Sequence, residues 1–173
     1  MKQALIVIDV QEDLTNTTHQ KKWLPFPVPN SNKLFDTINS WISKFKEEEQ
    51  DVIYVTQSVP NNFLFRKYPG ILLRGTKGIQ IDHRINRVST NLFEKPSSSC
   101  FSNKKLKAYI KEKGFTHITL TGIDAAQCVA ASAAEGIKLG LVVSIIDDAT
   151  ATTVPKKLPK VKEKLKKMGV QYQ

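Results

Sequence analysis

Cysteine is scarce: Cys100 and Cys128 are the only two in 173 residues. That excludes the disulfide framework of a small secreted domain and makes reduced thiols in the cytoplasm the expectation. The three histidines, His19, His83 and His117, stand far apart with no metal-ligand spacing, so no metal and no cofactor are expected. Long hydrophobic runs are missing too, and none approaches the ~20 residues of a membrane span. The first apolar run, Leu5-Ile6-Val7-Ile8, stops at Asp9, which makes it a strand and not the core of a leader. Internal repeats are absent, and the one biased tract is rich in lysine.

What is present is an ordinary globular composition, 40% hydrophobic and 24% charged, over a length suited to one domain across residues 1–173. The net charge of +10 is concentrated. Seven lysines against one glutamate between Lys156 and Lys167 account for six of those ten charges. Leu158, Val161 and Leu165 recur there at helical spacing, so the tract reads as a helix with a solvated lysine face. It lacks the interleaved aromatics of a nucleic-acid surface, and neither a nucleic-acid nor a membrane partner is expected.

Strand and helix signals alternate along the chain. Strands are predicted at Ala4 to Val10, Val52 to Val55, Leu92 to Glu94, His117 to Thr121, Leu141 to Ile146 and Val170 to Tyr172. Helices are predicted from Ser31 to Gln50, Lys104 to Lys113 (stopped by Gly114), Val129 to Leu139 and along the lysine tract. Pro25 to Pro29 reads as an irregular loop. Ser58 to Thr90 carries weak signals and is a candidate lid or partner surface. The pattern implies a three-layer α/β/α fold, Rossmann-like, around a mostly parallel six-stranded sheet.

Such sheets place ligands at the carboxyl ends of their strands, where strand order reverses. Cys128 follows the strand ending near Thr121 and opens a helix, for which Asp124 is a candidate N-cap. A helix N-terminus favours thiolate over thiol, which is one way to build a nucleophile. A small buried core cysteine is the alternative. Asp9 ends the first strand, where a partly buried carboxylate can take a proton from a thiol; a helix cap or loop carboxylate is the other reading. Lys95 ends a short strand and supplies a counter-charge, unless it is simply exposed.

Five ordered blocks together resemble the isochorismatase-like cysteine hydrolases, relatives of nicotinamidases and N-carbamoyl amidohydrolases. They are residues Ala4 to Gln11, Arg74 to Gly78, Lys95 to Phe101, Gly122 to Val129 and Asp147 to Thr150. The resemblance covers nearly the whole chain and implies the isochorismatase-like hydrolase fold with a catalytic triad of Asp9, Lys95 and Cys128. It also implies backbone N–H groups of Asp124 and Cys128 as oxyanion donors, with a peptide before Asp124 that is often cis. Leu14, Gln57 and Phe101 are the expected substrate-pocket residues.

Several positions depart from that family's pattern. Where nicotinamidases carry Asp-x-His after the second strand, this chain has Thr56-Gln57-Ser58, so no metal and no nicotinamide hydrolysis are expected. Leu14 replaces an aromatic, Asp124 and Ala125 replace a small residue and Thr, and Cys100 replaces alanine. Asp124 would either disfavour anionic substrates or cap the helix, and Cys100 would be buried. The expected function is cysteine hydrolysis of a small amide, carbamoyl or related C–N bond through a thioester; the alternative is a non-catalytic oligomeric binding or scaffold protein. Phe63, Leu64, Phe65, Tyr68, Ile71, Leu72 and Leu73 are too many large apolar residues for one irregular stretch to bury, and a homo-oligomer is expected.

Overall fold

A computed structural model describes residues 2–16 and 31–173; His19 and the 25–29 loop fall outside the described residues. In chain order the main elements are β1 (Gln3–Ile8), α1 (Glu12–Thr15), α2 (Ser31–Glu47), β2 (Asp51–Gln57), α3 (Phe63–Lys67) and β3 (Leu92–Lys95). Then come α4 (Lys104–Lys113), β4 (His117–Ile123), α5 (Cys128–Lys138), β5 (Val142–Ala151), α6 (Leu158–Lys167) and β6 (Gln171–Tyr172). The strands form one six-stranded sheet in the order β3-β2-β1-β4-β5-β6, and all five pairings are parallel.

Alternation along β1 shows why its apolar run is unbroken. Leu5 and Val7 share one cluster with Val52 and Tyr54 of β2 and with Leu34, Phe35, Ile38, Ile42 and Phe45 of α2. Ala4, Ile6 and Ile8 share the other with Ile53, with Leu106 and Ile110 of α4, Val129 and Ala133 of α5, and Leu165 of α6. Both faces of the strand are covered, as a central parallel strand requires. Each large core side chain contributes about 1.5–3 kcal/mol by leaving water. Gly114 ends α4 in the left-handed conformation, as its sequence position implied.

The element boundaries depart from expectation where backbone geometry is special. β1 ends at Ile8, and Asp9 adopts a left-handed φ of 53°. The lysine helix starts at Leu158, behind a short 3-10 turn at Pro155–Lys157. β5 runs on through Asp147-Asp148-Ala149-Thr150, the block expected to follow it. An irregularity between Leu120 and Gly122 lets that happen: Leu120 pairs with Ile145, yet Gly122 pairs with Thr150. The 58–90 stretch is better ordered than its sequence suggested. It holds α3 and a 3-10 turn at Lys77–Ile79, and it is tied down by the Asp13 carboxylate accepting from the Leu72 N–H at 2.6 Å.

Candidate active site

The order β2-β1-β4 puts the reversal of strand order between β1 and β4. Asp9 follows β1 and Cys128 follows β4, so both sit at the carboxyl edge on either side of that reversal. Lys95 ends β3, two strands from β1 and three from β4, and its side chain reaches both residues. Its Nζ lies 2.9 Å from Asp9 Oδ2 and 3.3 Å from Cys128 Sγ. It also donates to Gln57 Oε1 at 2.6 Å and to the Ser97 carbonyl at 3.1 Å. Lys95 is fully buried, so its charge is spent inside the cluster and not on the surface.

Close approach of β1 and β4 depends on Gly122. Its φ is 113°, and a Cβ there would overlap the Ile8 carbonyl oxygen, so no other residue fits without displacing a strand. Gln11 braces the neighbouring edge. Its side-chain amide donates to the carbonyls of Gln57 and Ile79, and its Oε1 accepts from the Gln57 N–H. Gln57 is thereby held by its backbone while its side-chain oxygen faces Lys95.

Electrostatics in the cluster run against one expectation. The start of α5 was expected to favour the thiolate of Cys128, but the thiol is pushed up to about 12. Burial is the first cause and the negative charge of Asp9 the second, and together they outweigh the pull of Lys95. Burial also raises the carboxyl of Asp9 above its ordinary value, against the lowering by Lys95. Among the described residues Asp9 Oδ1 is buried with no hydrogen-bond partner, an acceptor left open in the cluster.

Asp124 does not cap α5. The helix begins at Cys128 after Gln127, with no side-chain cap. Its buried carboxylate instead accepts from the Ala126 N–H, the Thr152 hydroxyl, and both the N–H and the hydroxyl of Thr153. The Ile123–Asp124 peptide is cis. Neither the Asp124 nor the Cys128 backbone N–H has an acceptor among the described residues.

Two of the expected pocket residues are buried. Phe101 is fully buried, packed with Leu106, Ile110 and Phe115, and lines a cavity with Leu139 and Leu141. Leu14 is buried in α1. Gln57, half-buried beside the thiol, is the most accessible of the three. Cys100 is buried as expected, and burial pushes its thiol up to about 12 as well.

Two of the residues in place of Asp-x-His are engaged by neighbouring side chains. Gln57 is engaged by Lys95, and the Ser58 hydroxyl donates to Glu94, which also pairs with Arg74. Spacing along the chain hid a different grouping, in which Glu12, Asp82 and His83 come together. Asp82 is already held there by Arg84 through Nε and Nη2, and its carboxyl is lowered to about 2.

The model of the isochorismatase domain matches residues 3–172. The chain belongs to the isochorismatase domain family. That membership makes it an isochorismatase-like hydrolase. An uncharacterized isochorismatase family protein of Bacillus subtilis, YddQ, is 23% identical over 154 residues, covering 88% of this chain and 79% of its own. Three solved structures share the fold of this family member. The pyrazinamidase of Pyrococcus horikoshii, in complex with zinc, superposes with a TM-score of 0.86 at 23% identity, covering 100% of this chain and 99% of its own. The nicotinamidase PncA of Bacillus subtilis gives 0.83 at 24%, covering 99% of each. The N-carbamoylsarcosine amidase of Thermoplasma acidophilum gives 0.81 at 21%, covering 100% and 96%.

Proposed function

We propose that this isochorismatase-family hydrolase cleaves a small non-peptide amide or carbamoyl C–N bond with Cys128 as nucleophile. The observation that carries the reading is the contact set of one buried ammonium, Lys95 Nζ, with Asp9 at 2.9 Å and Cys128 Sγ at 3.3 Å. Asp9 takes the thiol proton as sulfur attacks the carbonyl carbon, which explains the use of a neutral resting thiol. Lys95 holds the carboxylate and the developing thiolate in register. The Asp124 and Cys128 N–H groups receive the carbonyl oxygen as it gains charge. The C–N bond then breaks, and Asp9 returns its proton to the leaving amine. Water attacks the thioester, the C–S bond breaks, and the thiol is restored.

The substrate class follows the amidases named among the structural neighbours, with nicotinamide disfavoured by Thr56-Gln57-Ser58. Phe63, Leu64 and Tyr68 are exposed on and beside α3, which supports a homo-oligomer formed through that face. Ammonia release from a panel of small amides and carbamoyl compounds, followed with intact-mass detection of an acyl adduct, tests the chemistry. An adduct on Cys128, lost in Cys128→Ala and slowed at least tenfold in Asp9→Asn, is the expected result. Ammonia release that survives Cys128→Ala would overturn the nucleophile.

A further inference from the structure

The Asp124 carboxylate is an unusual object: buried, close to the nucleophile, and with no cation against it among the described residues. Its oxygens are met by neutral donors only. Oδ1 accepts from the Ala126 N–H at 2.9 Å and the Thr152 hydroxyl at 2.6 Å. Oδ2 accepts from the Thr153 N–H and hydroxyl, both at 2.7 Å, and from Gln127 Nε2 at 3.4 Å. A carboxylate so engaged has its acceptor sites filled from within the protein, and the helix beginning at Cys128 leaves it no capping role.

Its partners show what it joins. Three of the five donors come from Thr152 and Thr153, beyond the end of β5, and the other two from the turn between β4 and α5. The irregular pairing of β4 with β5 makes this possible, because it carries Ala151 level with Ile123, and the two threonines follow Ala151 directly. The Ala125 N–H donates to the Ala151 carbonyl at 2.8 Å, a second tie across the same gap. Asp124 O accepts from the N–H groups of Gln127 and Val129, which fixes the start of α5. One residue thus clamps the turn to the neighbouring strand through its side chain while its own N–H stays without an acceptor.

We propose that Thr152 and Thr153 are positioning residues that act through the Asp124 carboxylate to hold the Asp124 N–H where an oxyanion forms. The proposal rests on the reading of Cys128 as nucleophile and of that N–H as an oxyanion donor. Neither threonine touches the reacting atoms; their hydroxyls lock the residue that does.

Two reagents at the same sulfur separate this role from general damage. With p-nitrophenyl acetate the S–C bond forms through a tetrahedral oxyanion, the C–O bond breaks, p-nitrophenolate leaves, and the thiol proton passes to Asp9. With iodoacetamide the sulfur displaces iodide at a saturated carbon, and no carbonyl oxygen gains charge. Thr153→Val removes one hydroxyl donor from a charged acceptor while keeping the side-chain shape, and its acylation rate should fall about tenfold. Its alkylation rate should stay within about twofold, Thr153→Ser should restore acylation, and Asp124→Asn should lose at least as much as Thr153→Val. Thr152→Val serves if Thr153→Val does not fold. Equal losses with both reagents, or none with either, would overturn the clamp while leaving the nucleophile in place. An unaltered protein whose Cys128 takes neither reagent would overturn the nucleophile reading, and the clamp with it.

Discussion

Replacing Lys95 by methionine tests the electrostatics of the cluster most directly. The side chain is 0% exposed and its partner Asp9 3% exposed, so methionine fills nearly the same space and removes the charge alone. What remains is a buried carboxylate whose Oδ1 already lacks a partner among the described residues and whose Oδ2 now loses its ion pair. Removing one member of a buried pair costs about 3–5 kcal/mol, a large share of the ~5–15 kcal/mol that holds a domain folded. For a chain of this length that is a fall of roughly 10 °C in melting temperature.

The pH dependence follows from the same cause. Burial already raises the carboxyl of Asp9, and without the ammonium it should rise further. A raised folded value means that the folded state binds the proton more tightly than the unfolded chain. The penalty is therefore complete above the folded pKa of Asp9 and fades as pH falls toward the ordinary aspartate value. Urea unfolding of Lys95→Met and the unaltered protein across that range should show the gap closing on acidification. Adding Asp9→Asn to Lys95→Met should recover part of the loss, since no charge is then stranded. A gap below ~1 kcal/mol at neutral pH would refute the argument, because exposed pairs give values of that size.

Gly122→Ala should destabilise by about 3 kcal/mol, from unfavourable φ and overlap with the Ile8 carbonyl, and a denaturant midpoint unchanged from the parent would contradict the close approach of β1 and β4. Chelation followed by elemental analysis should leave melting and any hydrolysis unaltered; activity lost on chelation and restored by Zn²⁺ would show a functional ion, with Glu12, Asp82 and His83 the first place to look. Light scattering at micromolar concentration should report at least a dimer, shifted toward monomer by Phe63→Asp with Leu64→Asp, and a monomeric parent would return α3 to the role of an intramolecular lid.

Local signals in the sequence were enough for the six strands and the longer helices. Leu5-Ile6-Val7-Ile8 is apolar on successive residues because both faces of β1 are covered, and burial on two sides leaves that mark in any reading of the chain. Gly114 and the α2 stripe are equally local, since helix periodicity and a left-handed cap depend on neighbours a few residues away. The parallel sheet was readable on the same basis, and the ordered blocks that resemble a known family pointed to Asp9, Lys95 and Cys128, which the fold brings together.

Tertiary structure alone decided how those residues behave. The helix start at Cys128 argued for a thiolate, but a protonation state depends on everything within several ångströms, and burial with Asp9 sets it the other way. Asp124 had the sequence position of a cap, yet its partners are Thr152 and Thr153, twenty-eight and twenty-nine residues on. The only hint was a threonine-rich run after a strand, and nothing in its spacing points to Asp124. Glu12, Asp82 and His83 likewise meet where the bridge of Gln11 with Ile81 joins two segments far apart in the chain. Contacts between residues far apart in the chain leave no periodicity behind, and in this protein those contacts determine how each side chain of the site is held and charged.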